Sequence, residues 1–394
     1  MATALAINGR FLAQPISGVQ RYARELIHAL DGVLMHAEHG ARPSVTIWVP
    51  PNVPAEAMPA ALQVLRIKQA GRLRGHLWEQ FELPRAAGDA LLVSLTNSAP
   101  LLHPRQLVAI HDAAIKEYPG DFKWAYRTWY RGLYAGLRRT PARFISVSAF
   151  AAQEVSRHFG IAADRIAVVP NAAEQFLRLQ PDSRVLADLK LPKHGYILAV
   201  GGRSQRKNLM LIERALAGFE GCPPLVVAGG GASRAFASPA SGIANSVFLD
   251  HISDAAIKAL YQSALCLVFP SRYEGFGLPP LEAMACGCPV IAARAASMPE
   301  VCGDAALYCD PDRPETLAAN IRLVLTDPAL RMRLIARGTE RVRLFSWEGS
   351  ARKLLEVARH QASPPTPIAT RKGMHATDRR SCASSDGEAE PGAA

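Results

Sequence analysis

The sequence predicts an α/β protein made of two Rossmann-like domains, each a parallel sheet covered by helices. Three observations lead there. Short apolar runs of strand length alternate with helical stretches along most of the chain, the pattern of parallel strands joined by helical crossovers. The alternation pauses around residues 171 to 190 and then restarts. The 394 residues also exceed what one hydrophobic core usually serves, so two domains of about 170 residues each are expected.

Taken in order, the first half offers strands at Ala4 to Asn8, Val45 to Val49, Ala90 to Ser94, Gln106 to His111, Phe144 to Val147 and Ile166 to Val169. The opening residues, Met1 to Ile7, lack a basic start and a long apolar segment, so they read as the first strand and not as a signal peptide. The second half offers Tyr196 to Val200, Leu225 to Ala228, Val247 to Leu249, Cys266 to Phe269 and Val290 to Ala292. The expected domains are therefore 1–178 and 179–345. Phe345-Ser-Trp-Glu to about His360 is helical in pattern, and the stretch from Ala362 to Ala394, rich in Ala, Ser, Pro and Gly, is expected to be disordered.

The most informative run is Phe269-Pro-Ser-Arg-Tyr-Glu-Gly-Phe-Gly-Leu-Pro-Pro-Leu-Glu-Ala-Met-Ala-Cys-Gly-Cys-Pro-Val-Ile-Ala292. A strand through Phe269, a loop over 271–278 and a short helix over 279–286 stopped by Gly287 put Glu274 in the loop and Glu282 in the helix's first turn. Each carboxylate can hold a pair of hydroxyls. The N–H groups of Gly275, Phe276, Gly277 and Leu278, with the helix N-terminus, face any anion between them. A ligand both polyhydroxylated and phosphorylated, such as a nucleotide sugar, fits. Solvated glutamates at a helix start would share the spacing; strand, glycine loop and helix in this order set the run apart.

Three further clusters lie at the ends of predicted strands, where open parallel sheets put their ligands. Gly201-Gly-Arg-Ser-Gln-Arg-Lys-Asn-Leu209 follows the strand ending at Val200, and its lysine and arginines suit a diphosphate. Asn8-Gly9 and Ser17-Gly-Val-Gln-Arg-Tyr22 follow the first strand, where Gly18 lets backbone N–H groups approach a phosphate. His111-Asp112 also ends a strand, although a lone histidine is more often a structural residue than a catalyst.

In wording as well as spacing, the 269–292 run resembles the E-x7-E motif of the retaining glycosyltransferases of family 4. So do Ser297-Met-Pro-Glu-Val301, Asp304-Ala-Ala-Leu-Tyr308, and Ile110-His-Asp followed by Tyr118-Pro119, Ser146-Val-Ser-Ala-Phe150 and Val168-Val-Pro-Asn171. The resemblance covers about residues 1–360. It implies the GT-B fold, with two Rossmann-like domains whose sheets face an interdomain cleft, and a C-terminal helix, 346–361, that crosses back over the first domain. It implies that Glu274 contacts hydroxyls of the donor sugar, Glu282 the ribose, and Gly18 the donor phosphates. His111 would border the sugar near its reacting end and Asp112 would face the acceptor pocket. Lys207 matches the family's lysine, but its arginine position is Gly202 here, which leaves Arg203 and Arg206 as substitutes, with Arg206 favoured. Position 250, usually glycine in the family's base-binding turn, is Asp250.

The activity implied is transfer of a hexose, mannose above others and from GDP-mannose or a related donor, to a lipid-linked or free oligosaccharide acceptor in bacterial surface polysaccharide synthesis. No carboxylate is placed as a nucleophile, and the family mechanism is same-face substitution without a metal or other cofactor. A nucleotide-sugar epimerase on the same fold and a non-catalytic nucleotide-sugar-binding protein are the alternatives.

The net charge is +11, with 20 Lys and Arg against 13 Asp and Glu in residues 1–180. Its densest patch, Lys123 to Arg143, holds six basic residues, five aromatics and no acid. Cations beside Trp and Tyr suit an anionic membrane face or a lipid-linked phosphate; the other reading is an amphipathic helix with its aromatics packed inward. No nucleic-acid motif accompanies the charge. No run approaches the roughly 18 to 20 apolar residues that cross a bilayer. Seven cysteines without metal or scaffold spacing point to the cytosol, which with the patch implies a cytoplasmic protein peripheral on the inner membrane face. Asp310-Pro-Asp312 imitates a manganese motif but lies in a strand-to-helix turn, where Asp caps a helix. Ala228 to Arg234 imitates a dinucleotide fingerprint but lacks its last glycine.

Overall fold

The computed structural model describes residues 4–38, 42–59, 62–202, 204–229, 246–250 and 252–362. The chain to Ala362 is one compact unit holding two parallel sheets. The first has seven strands: β1 (Leu5–Asn8), β2 (Val45–Val49), β3 (Arg66–Gln69), β4 (Leu91–Ser94), β5 (Gln106–Ala109), β6 (Arg143–Ser146) and β7 (Ile166–Val168), in the order β3-β2-β1-β4-β5-β6-β7. The second has six: β8 (Ile197–Val200), β9 (Leu225–Ala228), β10 (Ser246–Leu249), β11 (Cys266–Phe269), β12 (Val290–Ala293) and β13 (Ala306–Cys309), in the order β10-β9-β8-β11-β12-β13.

Central strands such as β1, β4, β11 and β12 are buried along their whole length, so they are apolar on both faces and easily recognised. Two edge strands lay beyond the sequence reading. β3, Arg-Ile-Lys-Gln, is mostly exposed and carries no apolar pattern; its register with β2, Thr46 opposite Arg66, makes it a strand. β13 is only half-buried and is defined by pairing with β12. The expected strand through His111 stops at Ala109, so His111 and Asp112 stand in the loop beyond it.

In a doubly wound sheet the ligand crevice opens where strand order reverses. Here that is between β1 and β4 in the first sheet and between β8 and β11 in the second. Helix α1 (Gly18–Met35) leaves the first switch point and buries Tyr22, Leu26, Ile27, Leu30 and Leu34, the 3–4 spacing of one helix face. Helices α2 (Trp124–Leu137) and α3 (Ala149–Phe159) cover the other half of that sheet, and α4 (Leu278–Ala285) leaves the second switch point. Helix α5 (Trp347–Ala362) runs beside α1: Tyr22 and Trp347 meet edge to face at 5.9 Å, Trp347 N–H donates to Glu174 at 2.7 Å, and Ser350 Oγ donates to the Pro170 carbonyl at 2.7 Å. Among the described residues no helix is long and apolar enough to cross a membrane.

Candidate active site

A cavity of about 370 Å³ opens between the two switch points, and its walls include Gly18, His111, Asp112, Arg206, Lys207, the 274–278 loop and Glu282. All the expected site residues therefore meet, although up to 264 positions of chain separate them (Gly18 to Glu282). Arg203, most of the 228–234 segment and the tail from 363 lie outside the described residues.

At the centre is an ion triad. Lys207 Nζ donates to Glu274 Oε1 at 2.5 Å, and Arg206 Nη1 stands 3.5 Å from Glu274 Oε2. Burial alone would raise the Glu274 carboxyl, but Lys207 and Arg206 outweigh it and hold the group below the ordinary glutamate range. Arg206 also faces Asp121 of the first domain at 3.6 Å, and its Nε and the facing Asp121 Oδ2 are buried without a hydrogen-bond partner. Lys207 lies in a 3-10 turn, Gln205–Lys207, ended by Asn208 in the left-handed conformation, which in turn begins the helix Leu209–Leu216, and its ammonium sits 5.1 Å above the Phe269 ring.

The glycines of the loop have separate reasons. Gly277, at φ +109°, turns the chain into α4 one residue earlier than expected, which moves Glu282 from the first turn to the second. Gly275 presses on the other domain: a Cβ there would stand 2.1 Å from the His111 carbonyl oxygen. Ser297, in the resemblance phrase, ties the loop down with its one O–H, which is shared between the carbonyls of Phe276 at 2.7 Å and Glu274 at 2.9 Å.

His111 is buried, and its Nε2 lies 2.8 Å from the Leu95 carbonyl, which only accepts, so Nε2 carries the proton. Burial pushes the imidazole below the usual histidine value, which keeps it neutral. Asp112 lines the cavity and uses Oδ1 to accept from Ala114 N–H at 2.9 Å, so part of its role is to shape the turn.

Several groups here were passed over in the sequence. Arg21 grips Asp254 of the other domain through two bonds, 2.7 and 2.6 Å. Glu300 accepts from the first N–H groups of α3, Ala149 at 2.7 Å and Phe150 at 3.0 Å, and so caps a helix of the opposite domain. Ser148 Oγ donates to the Gly275 carbonyl at 2.6 Å. Asn171 lines the cavity with a buried, unpartnered Oδ1. Ser148, Asn171 and Glu300 stand inside the phrases that carried the resemblance, and Arg21 stands in the glycine-loop phrase after the first strand; these were the available signals.

Asp310 and Asp312 differ from the helix caps expected: Asp310 Oδ1 accepts from Asp312 N–H at 2.9 Å, and Asp312 pairs with Arg272 at 2.6 Å. Glu282 is buried and in reach of Tyr261 at 3.4 Å. Burial raises its carboxyl to about 7, with Arg21 opposing. Because the folded value exceeds the ordinary glutamate value of 4.5, the contribution of Glu282 to folding is full below about pH 4.5 and is lost as pH rises through about 7. Urea unfolding of Glu282→Gln should therefore gain on the wild type between pH 4.5 and pH 8, by on the order of 3 kcal/mol; parallel profiles would place the titration elsewhere.

Residues 16–174 match the model of Glycosyltransferase Family 4, and residues 187–341 match that of Glycosyl transferases group 1. The chain is 34% identical to O-antigen chain mannosyltransferase B of Escherichia coli over 222 residues, covering 52% of this chain and 57% of that one. It is 23% identical to O-antigen chain mannosyltransferase RfbU of Salmonella typhimurium over 339 residues, covering 81% and 90%. The chain thus spans little more than half the length of the first of these relatives. In fold it is similar to sucrose-phosphate synthase of Thermosynechococcus elongatus, with a TM-score of 0.66 at 22% identity, covering 91% of this chain and 99% of that one.

Proposed function

With a family 4 domain followed by a group 1 domain, the chain belongs to the glycosyltransferases of GT-B fold, and we propose that it transfers mannose from GDP-mannose to a saccharide acceptor with retention of configuration. The observation that carries this reading is the Glu274 carboxylate held between Lys207 and Arg206 at the switch point of the second sheet. A sugar diphosphate divides that triad by chemistry: its hydroxyls take the carboxylate and its phosphates take the cations.

The reaction breaks the bond between the anomeric carbon and the phosphate oxygen, and negative charge grows on the leaving diphosphate. Lys207, Arg206 and the N-terminus of α4 are fixed donors for that charge. The acceptor hydroxyl attacks the same face and its proton passes to the departing phosphate oxygen. His111, which is neutral, and Asp112 line the same cavity, and in this reading they border the place where the sugar meets the acceptor.

The acceptor in this reading is a growing saccharide on a lipid carrier at the inner face of the cytoplasmic membrane. The relatives named above are O-antigen chain mannosyltransferases. The aromatic and basic surface of α2, where Trp124 is 75% exposed, suits such a location.

Calorimetric titration with GDP, UDP and ADP, with and without EDTA, tests the donor. Micromolar binding of GDP, indifferent to EDTA, is expected. Binding of UDP or ADP alone would replace the donor, and a need for metal would overturn the metal-free mechanism. Mannosyl transfer by Glu274→Gln is expected to fall at least about tenfold with the fold intact. Release of a changed sugar nucleotide without acceptor would point to an epimerase instead.

A further inference from the structure

Away from the cleft, the first domain carries a groove of about 660 Å³ between α2 and α3, walled by Lys116, Arg131, Arg138, Arg157 and His158. It is larger than the cavity of the cleft, and five of its lining residues are basic. The helix period explains how α2 makes one wall. Positions 124, 128, 131, 135 and 138 fall on one face, while Tyr130, Leu133, Tyr134 and Leu137 point into the core. Trp124, Arg131 and Arg138 therefore stand in line on the outer side.

Two of the five basic side chains already have partners. Arg157 pairs with Glu117 at 2.9 Å and Glu154 at 3.5 Å, and His158 pairs with Glu117 at 2.6 Å and Glu154 at 3.3 Å. Both lie in the last turn of α3, where positive charge favours the helix end. These pairs also account for the Glu117, Glu154 and His158 cluster without a metal. Arg138 closes the C-terminus of α2 and lies against Gly160. Lys116 and Arg131 remain: among the described residues neither has an acidic partner, and both face the same groove. Like charges gathered around a cavity repel one another, and a bound anion relieves the repulsion.

We propose that this groove binds a phosphate-bearing ligand, held by Lys116, Arg131 and Arg138. A guanidinium fork matches phosphate oxygens two at a time, and the ammonium adds a point charge. The phosphate belongs either to a lipid head group or to a soluble molecule. The apolar surroundings suit the first source: Trp124 lies one turn away on the same face, and exposed Leu102 adjoins Leu101, which packs on Gly136 of α2. The lipid arm of this inference deepens the membrane location proposed above for the same α2 surface, while no residue of the groove lines the cleft cavity, so its failure leaves the sugar-transfer reading standing.

The test uses the full chain with Arg131→Glu and Arg138→Glu together, and a milder pair, Arg131→Gln and Arg138→Gln, for which folding is easier. GDP titration checks that the cleft is intact. Inorganic pyrophosphate is titrated in a Lys207→Ala background, which weakens its binding in the cleft, and vesicles of phosphatidylglycerol are sedimented against phosphatidylcholine. Pyrophosphate affinity reduced about tenfold or more in the charge-reversed pair, with GDP binding unchanged, supports the groove. Loss of phosphatidylglycerol binding as well assigns the phosphate to a head group; unchanged vesicle binding assigns it to a soluble ligand. Pyrophosphate binding equal to the parent's in both pairs overturns the proposal, whatever the vesicles do.

Discussion

Replacing Lys207 with methionine should lower turnover by about a hundredfold or more, the effect of removing one fixed donor worth on the order of 3 kcal/mol in the transition state. Methionine keeps much of the apolar stem, which lies against Gly201, so the fold is expected to survive. What goes is the ammonium 2.5 Å from Glu274 and the charge available to a departing phosphate. Glu274 would then keep only Arg206, at 3.5 Å, and its carboxyl should move up toward the ordinary glutamate range. Steady-state kinetics with the donor, alone and with Glu274→Gln added, are the measurement. The two losses should be strongly non-additive, because the groups act as one unit. A methionine variant within about tenfold of wild-type turnover would remove Lys207 from the chemistry.

Gly275→Ala is expected to be as damaging for another reason. Its Cβ would stand 2.1 Å from the His111 carbonyl oxygen and 3.1 Å from Asp112 Cβ, and neither neighbour is free to withdraw. His111 is held by Asn97 at its N–H, 2.8 Å, and by Leu95 at its ring, 2.8 Å. The loop carrying Gly275 is held by Ser148 and Ser297. The domains must therefore part, at about 1–3 kcal/mol of strain, and reacting groups displaced by about 1 Å lose on the order of a hundredfold in rate. GDP binding, which in the proposed reading rests mainly on the second domain, should weaken much less than turnover. Gly32→Ala, on α1 and outside the cavity lining, is the control, since its Cβ would meet nothing within 4 Å. Wild-type turnover in Gly275→Ala would mean that the loop moves freely.

The motif residues were legible because the site is built from short loops directly after strands, and each loop keeps its own signature: Gly18, His111-Asp112, Arg206-Lys207 and the 274–282 run. What the phrases around them do was not legible. Glu300 reads as an ordinary acid of a short helix, yet it caps α3 from across the cleft. Arg21 reads as one cation of an amphipathic helix, yet it locks onto Asp254, 233 residues away. The patch from Lys123 divided in a way composition could not foretell, with Tyr130 and Tyr134 in the core and Trp124 in solvent.

By itself the sequence determined the α/β class, the two-domain organisation and the loops that carry the candidate site residues. These follow from apolar period and turn chemistry, which act over a few residues. Tertiary structure alone decided the edge strands β3 and β13, the start of α4 and the position of Glu282 on it, and the contacts between the domains. The cationic groove also exists only in the folded chain. Each of these depends on partners remote in the chain, brought together by sheet order and domain packing, and a local pattern carries no record of which distant group will arrive.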